Sequence, residues 1–131
     1  MEEIVEVKKL LLQNDIQGAL AIVEELEEMA KNHITNGIEQ CAEVLLEHLI
    51  KRFIEKRTTK SWDIRIAVSA LEIKRRNRKL NRIDNYLSQS ELREALEEVF
   101  GGVLSEDQID ALVDRDALIQ QALDMIITSA S

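Results

Sequence analysis

The cations of this chain are crowded together. Twelve of its seventeen Lys and Arg residues fall within residues 51–82, beside only three acidic residues, so this stretch carries a net charge of +9. Residues 1–50 carry −8 and residues 83–131 carry −9, for a total of −8. At helical spacing Arg75, Arg78 and Arg82 share one face, with Lys74 and Lys79 beside them. Such a row, with Arg76 next to it, suits phosphates or an acidic protein surface, and phosphate contacts are salt-dependent. The same charges have a second use inside the fold. Acidic runs at Glu24, Glu25, Glu27, Glu28 and at Glu94, Glu97, Glu98 would pair with them if the helices pack side by side. Both uses remain open at this point.

The residues of catalytic type are sparse. There are two histidines, His33 and His48, and one cysteine, Cys41. A zinc site wants more Cys and His ligands at close spacing. Cys41 shares a helical face with Ile38 and Leu45 and reads as a small core hydrophobe. His48 lies four residues after Val44 and reads as a core or boundary residue with one hydrogen bond, while His33 reads as a solvated loop residue. Glu43 and Glu47 are an i,i+4 pair, as are Glu24 and Glu28, but His48 has Leu45 three residues before it, so the Glu-x-x-His of di-metal bundles does not occur. No glycine-rich phosphate loop, nucleophile elbow or HExxH stands in the chain. The expectation is no enzyme, no catalytic residues, no metal and no cofactor.

Composition narrows the class. A chain of 131 residues suits one domain, and the expectation is a single helical domain over residues 1–131. Hydrophobic residues at 45% exclude general disorder, and the single cysteine excludes a disulfide framework. Four glycines and no proline exclude collagen-like and Pro-rich classes. The acidic opening Met1-Glu2-Glu3 lacks the positive charge of a secretory signal, and no apolar run nears the ~20 residues of a membrane helix. These features lead us to expect a cytoplasmic location.

The elements that must position these residues are helical. Ile4, Val7, Leu11 and Val5, Leu12 recur at helical spacings. Asp15 is the expected N-cap of a second helix carrying Ile16, Leu20, Val23 and Leu26, which makes an αα-hairpin with the first. Lys31 to Gly37 reads as a break, with Asn36 and Glu39 at capping-box spacing before a third helix through Leu45, Leu49 and Phe53. Arg57 to Ser61 reads as a polar joint. Thr58, Thr59 or Ser61 caps a long fourth helix through Trp62, Ile66, Ile73, Leu80 and Leu87. Ser88 with Glu91 opens a fifth helix that Gly101-Gly102 ends. Ser105 opens a short sixth, and Asp114 or Asp116 caps the last. No alternating strand pattern competes. The reading is an all-α irregular bundle of five to seven helices.

Three segments together resemble a known family. They are Gly18-Ala19-Leu20 through Val23-Glu24-Glu25-Leu26-Glu27-Glu28-Met29, then Leu45-Leu46-Glu47-His48-Leu49-Ile50-Lys51, then Arg57-Thr58-Thr59-Lys60-Ser61-Trp62 with Ile66 and Arg75 following. The tail Leu112-Val113-Asp114-Arg115-Asp116-Ala117 adds to them. On these the chain resembles the bacterial, cyanobacterial-type domain of unknown function family 29, over nearly its full length. The resemblance implies an all-helical bacterial cytosolic protein and implies no activity. His48 and Trp62 fall in its most recognisable segments, on either side of the joint between the third and fourth helices. Both stand at comparable heights from that joint, so they are expected to share one packed cluster.

The expected role is that of a small non-enzymatic protein–protein interaction module, meeting a protein partner or a second copy of itself, without membrane contact. The basic fourth helix (residues 74–82) and the acidic flanks would select the partner by charge. The alternative is a nucleic-acid-binding regulator using Arg75, Arg76, Arg78, Lys79 and Arg82.

Overall fold

The computed structural model describes residues 2–79, 84–103 and 114–129. In chain order these form α1 (Glu2–Leu12), α2 (Ile16–Glu55), α3 (Lys60–Asn77), α4 (Gln89–Val103) and α5 (Arg115–Thr128). Among the described residues there is no strand, and one isolated bridge joins Arg78 to Asn85. The all-α expectation holds, with five helices described. The chain divides into two compact units, Met1–His33 and Ile34–Ser131.

The first unit is an αα-hairpin. Asn14 turns the chain in the left-handed region at φ 62°. Asp15 then caps α2 by accepting the Gly18 N–H at 3.0 Å. A Cβ at Gly18 would stand 2.5 Å from the Asp15 carboxylate, so glycine there leaves room for the cap. Of the described residues in this unit only Ala19 is buried.

The second unit holds the core. Ile38, Ala42, Leu45 and Leu49 of α2, Ile66, Ala70 and Ile73 of α3, Leu92, Leu96, Val99 and Phe100 of α4, and Ile119, Ala122 and Ile126 of α5 line it at helical spacing. The last helix packs against both α3 and α4. Three caps fall where the sequence placed them. Thr59 accepts the Trp62 N–H at 3.1 Å. Ser88 and Glu91 exchange bonds of 3.2 and 3.1 Å as a capping box. Asp114 accepts the Ala117 N–H at 3.1 Å.

Six expectations need correction or fall outside the described residues. The break at Lys31–Gly37 does not exist: α2 is one 40-residue helix through it. Glycine costs a helix interior only about 1 kcal/mol against alanine, and no proline enforces a stop. The absent side chain also has a use, because the Arg76 guanidinium stands 3.0 Å from where a Gly37 Cβ would sit. His33 is consequently a helical residue, exposed, and not a loop residue. The fourth helix of the sequence reading, α3 here, stops at Asn77, and Leu87 is not helical, while Leu80 lies outside the described residues. Gly101-Gly102 do not end the next helix, which continues to Val103. The short helix expected from Ser105 lies outside the described residues, as does Arg82.

The two glycines of α4 carry a prediction. Both have ordinary backbone angles, and a Cβ on either meets nothing within 4 Å. Gly101→Ala is therefore expected to stabilise the fold by about 0.5–1 kcal/mol, through a smaller loss of backbone entropy. A rise in the urea midpoint checks it, and a fall would mean the added methyl meets a neighbour.

Candidate functional site

The basic segment does not form one continuous helical row. Arg78 is already past α3, in extended geometry, with its N–H donated to the Arg75 carbonyl at 3.2 Å. The reason is Asn77. Its buried side chain donates from Nδ2 to the Leu87 carbonyl at 3.0 Å and accepts the Leu87 N–H at Oδ1 at 2.7 Å. The Asn77 carbonyl accepts the Tyr86 N–H at 2.8 Å, and the Lys79 N–H is donated to the Asp84 carbonyl at 2.9 Å. One amide side chain thus imitates a strand partner for Leu87 and turns the chain away from the helix axis. Sequence reasoning missed Asn77. A signal was present, since asparagine bonds readily to nearby backbone and favours helix ends over helix interiors.

Several cations are engaged within the fold. Lys74 reaches the end of α5, donating to the Ser129 carbonyl at 2.5 Å and the Ile127 carbonyl at 3.2 Å. It satisfies carbonyls that have no helical partner and meets the negative end of the helix dipole. Arg76 pairs with Glu72 at 3.6 Å. Lys79 lies over the Tyr86 ring at 5.6 Å. Arg52 pairs with Asp63 at 3.4 Å, and Arg57 pairs with Glu55 at 2.8 Å. Arg75 is exposed and makes no ion pair among the described residues, and the same holds for Lys56, Lys60 and Arg65. The intramolecular use of the charge is therefore real for part of the segment. For Lys74, Arg76, Arg57 and Arg52 the partners are carbonyls or acidic residues other than Glu94, Glu97 and Glu98.

His48 is buried, and its Nδ1–H is donated to the Val44 carbonyl at 2.7 Å one turn earlier. Trp62 is half-buried, with the Arg57 guanidinium 5.0 Å above its indole. No hydrogen bond or ring contact joins the two side chains. Cys41 is half-buried against the core, as a small hydrophobe would be.

One groove of about 630 Å³ runs between α3, the end of α5 and the α2–α3 joint. Ile66, Ala70, Leu71 and Met125 make it apolar, and the Arg52–Asp63 pair with Thr58 closes one side. Its lining holds neither histidine nor cysteine. Such a surface can receive an apolar group.

Glu39 is a perturbed carboxyl of the second unit. The Glu39 side chain is held above its ordinary pKa by burial, then by the Glu98 and Glu43 carboxylates. A raised value in the folded state means the native protein holds that proton more tightly than the unfolded chain. Stability therefore falls as pH rises through the window between the unfolded and the raised value. Glu39→Gln is expected to stabilise at pH 7 by up to about 0.5 kcal/mol. The gain should shrink towards zero near pH 4, where the unfolded carboxyl also takes its proton. Denaturation at the two pH values tests this, and an equal gain at both would exclude the electrostatic cause.

Large apolar side chains stand in solvent. Ile4, Val5, Leu11 and Leu12 of α1 are exposed, Leu12 at 87%, and α1 buries none of its residues. Ile16, Leu20 and Met29 of α2 are exposed as well. On α3, Ile64 and Val68 stand out at i,i+4 spacing between Lys60 and Arg75. No helix among the described residues is long and apolar enough to cross a membrane.

No curated protein and no solved structure matches the chain. A family model does, over residues 8–124, which takes in the second half of α1, all of α2, α3 and α4, and most of α5. The chain therefore belongs to the family described as Domain of unknown function DUF29.

Proposed function

We propose that this chain is a small, non-enzymatic protein–protein interaction module of the bacterial cytosol. The observation that carries the reading is the N-terminal hairpin, whose first helix buries none of its residues and turns Ile4, Val5, Leu11 and Leu12 to solvent. A helix of 11 residues is marginal alone in water, so its apolar residues favour a partner surface. The non-enzymatic part rests on the sequence, which carries no glycine-rich phosphate loop, nucleophile elbow or HExxH. The cytosolic and bacterial parts are supported by the lone Cys41 and by the family resemblance. The basic residues that make no ion pair, Arg75 among them, support selection of a partner by charge.

The test is capture from a lysate of the source cells with the full chain as bait, beside the Ile4→Glu/Leu12→Glu variant. The expected result is a defined partner held by the native chain and lost by the variant. Equal capture by both would reject the hairpin as the interaction surface. Capture of nucleic acid that collapses on raising the salt would replace this reading with a polyanion-binding one.

A further inference from the structure

The hairpin raises a question that its own residues answer. The unit Met1–His33 is 33 residues long, and among its described residues only Ala19 is buried. Its second helix continues without a break past His33, whereas α1 buries none of its residues. Ile4, Val5, Leu11 and Leu12 of α1 are left exposed, with no cover among the described residues of the unit.

We infer that the hairpin pairs with the same hairpin of a second copy of this chain, turn to open end, forming an antiparallel four-helix bundle. This rests on the reading of the chain as an interaction module and names its partner. The apolar residues suit the pairing. Ile4 with Leu11 and Val5 with Leu12 recur at seven residues along α1, and Ile16 with Leu20 at four along α2. These are the spacings by which helices interlock in bundles.

The charges choose the second copy and its direction. Lys8 and Lys9 are the exposed cations of α1, while Glu24, Glu25, Glu27 and Glu28 crowd one part of α2. None of the six makes an ion pair among the described residues. Within one hairpin the two groups stand at different heights, separated by roughly 10 Å at 1.5 Å per residue, so they miss each other. Reversing a second hairpin against the first brings the lysines of each copy beside the glutamates of the other. A two-fold axis makes that complementarity twice. The opposite, turn-to-turn pairing would set glutamates against glutamates, which is repulsive.

Sedimentation equilibrium of the full chain tests this. The expected mass is twice the 15.0 kDa of one chain. Leu12→Glu with Leu20→Glu is expected to weaken the dimer about a hundredfold, from lost apolar burial at two positions. Trp62 fluorescence serves as the folding control, because that residue lies in the other unit. A Lys8→Glu/Lys9→Glu variant and a Glu24→Lys/Glu28→Lys variant should each dimerise weakly, and their equimolar mixture should form the mixed dimer. A monomer at every concentration overturns the inference. So does a dimer that ignores the leucine variant, or a mixture no tighter than either charge variant alone. A monomer whose capture of another protein still needs Leu12 overturns the second copy and leaves the interaction reading standing. Loss of both the dimer and the Leu12-dependent capture would sink the reading itself.

Discussion

Asn77→Ala is expected to cost about 2–4 kcal/mol of unfolding free energy, although it deletes only an exchangeable-looking amide. The side chain makes two buried bonds, one to each backbone group of Leu87. Alanine leaves that N–H and that carbonyl without partners beside a buried leucine, and each unmet group costs about 1–3 kcal/mol. The effect should be local at first. Leu87 anchors the chain just before the Ser88 capping box, so amide exchange at Leu87 and in the first turn of α4 should speed up more than in α2. Asn77→Asp separates geometry from hydrogen bonding. It keeps the shape and one acceptor, loses the donation to the Leu87 carbonyl and buries a charge, so at neutral pH it should be at least as damaging as alanine. Urea unfolding of both variants, with amide exchange for the location, checks this. A loss under 1 kcal/mol for alanine would mean that water replaces the amide freely.

The largest single-residue effect is expected at Phe100. Its ring is fully buried where α4 meets α5, and the Arg115 guanidinium lies 5.4 Å from the ring centre. Phe100→Ala removes the ring from a packed core and should cost about 3–5 kcal/mol, part transfer and part cavity. The Arg115 contact adds a smaller loss of about 0.5–1 kcal/mol, since that side chain keeps its bond to the Glu97 carbonyl at 2.8 Å. Phe100→Leu keeps most of the volume and should cost less than half as much. Thermal unfolding orders the two variants. Near-equal losses would show that the site collapses around the smaller side chain. A marginal domain has only about 5–15 kcal/mol in total, so the alanine protein is expected to be partly unfolded at 37 °C.

These two residues stand on opposite sides of what could be read without a structure. Phe100 is legible. It follows Leu92, Leu96 and Val99 at helical spacing, and its burial needs only the rule that one helix face is apolar. The caps at Asp15, Thr59, Ser88 and Asp114 are legible for a similar reason, because each acts on an N–H within three residues of itself. Asn77 was not. Its partner is ten residues away across a turn, and until that partner is placed the basic run beyond it looks like more helix. The helical row expected from Arg75 onwards departs from the structure at Arg78 on that point. Arg78 leaves the helix, and Lys74 turns to carbonyls 53 and 55 residues further on.

The continuity of α2 teaches the same lesson from the other direction. Lys31 to Gly37 contains weak helix formers and no true breaker, so local propensity leaves both outcomes within about a kcal/mol or two. The approach of Arg76 to Gly37 belongs to the folded protein and cannot be read from the residues around the glycine.

Periodicity, composition and local capping therefore specified the all-helical class, most helix starts, the core faces and the uneven charge, since each arises from contacts within a turn or two. Where α2 continues, where α3 stops, which cations are spent inside the fold and which apolar face is left without a partner were settled only by tertiary packing. Those outcomes turn on single contacts between residues far apart in the chain, each worth about as much as the local preference it overrides.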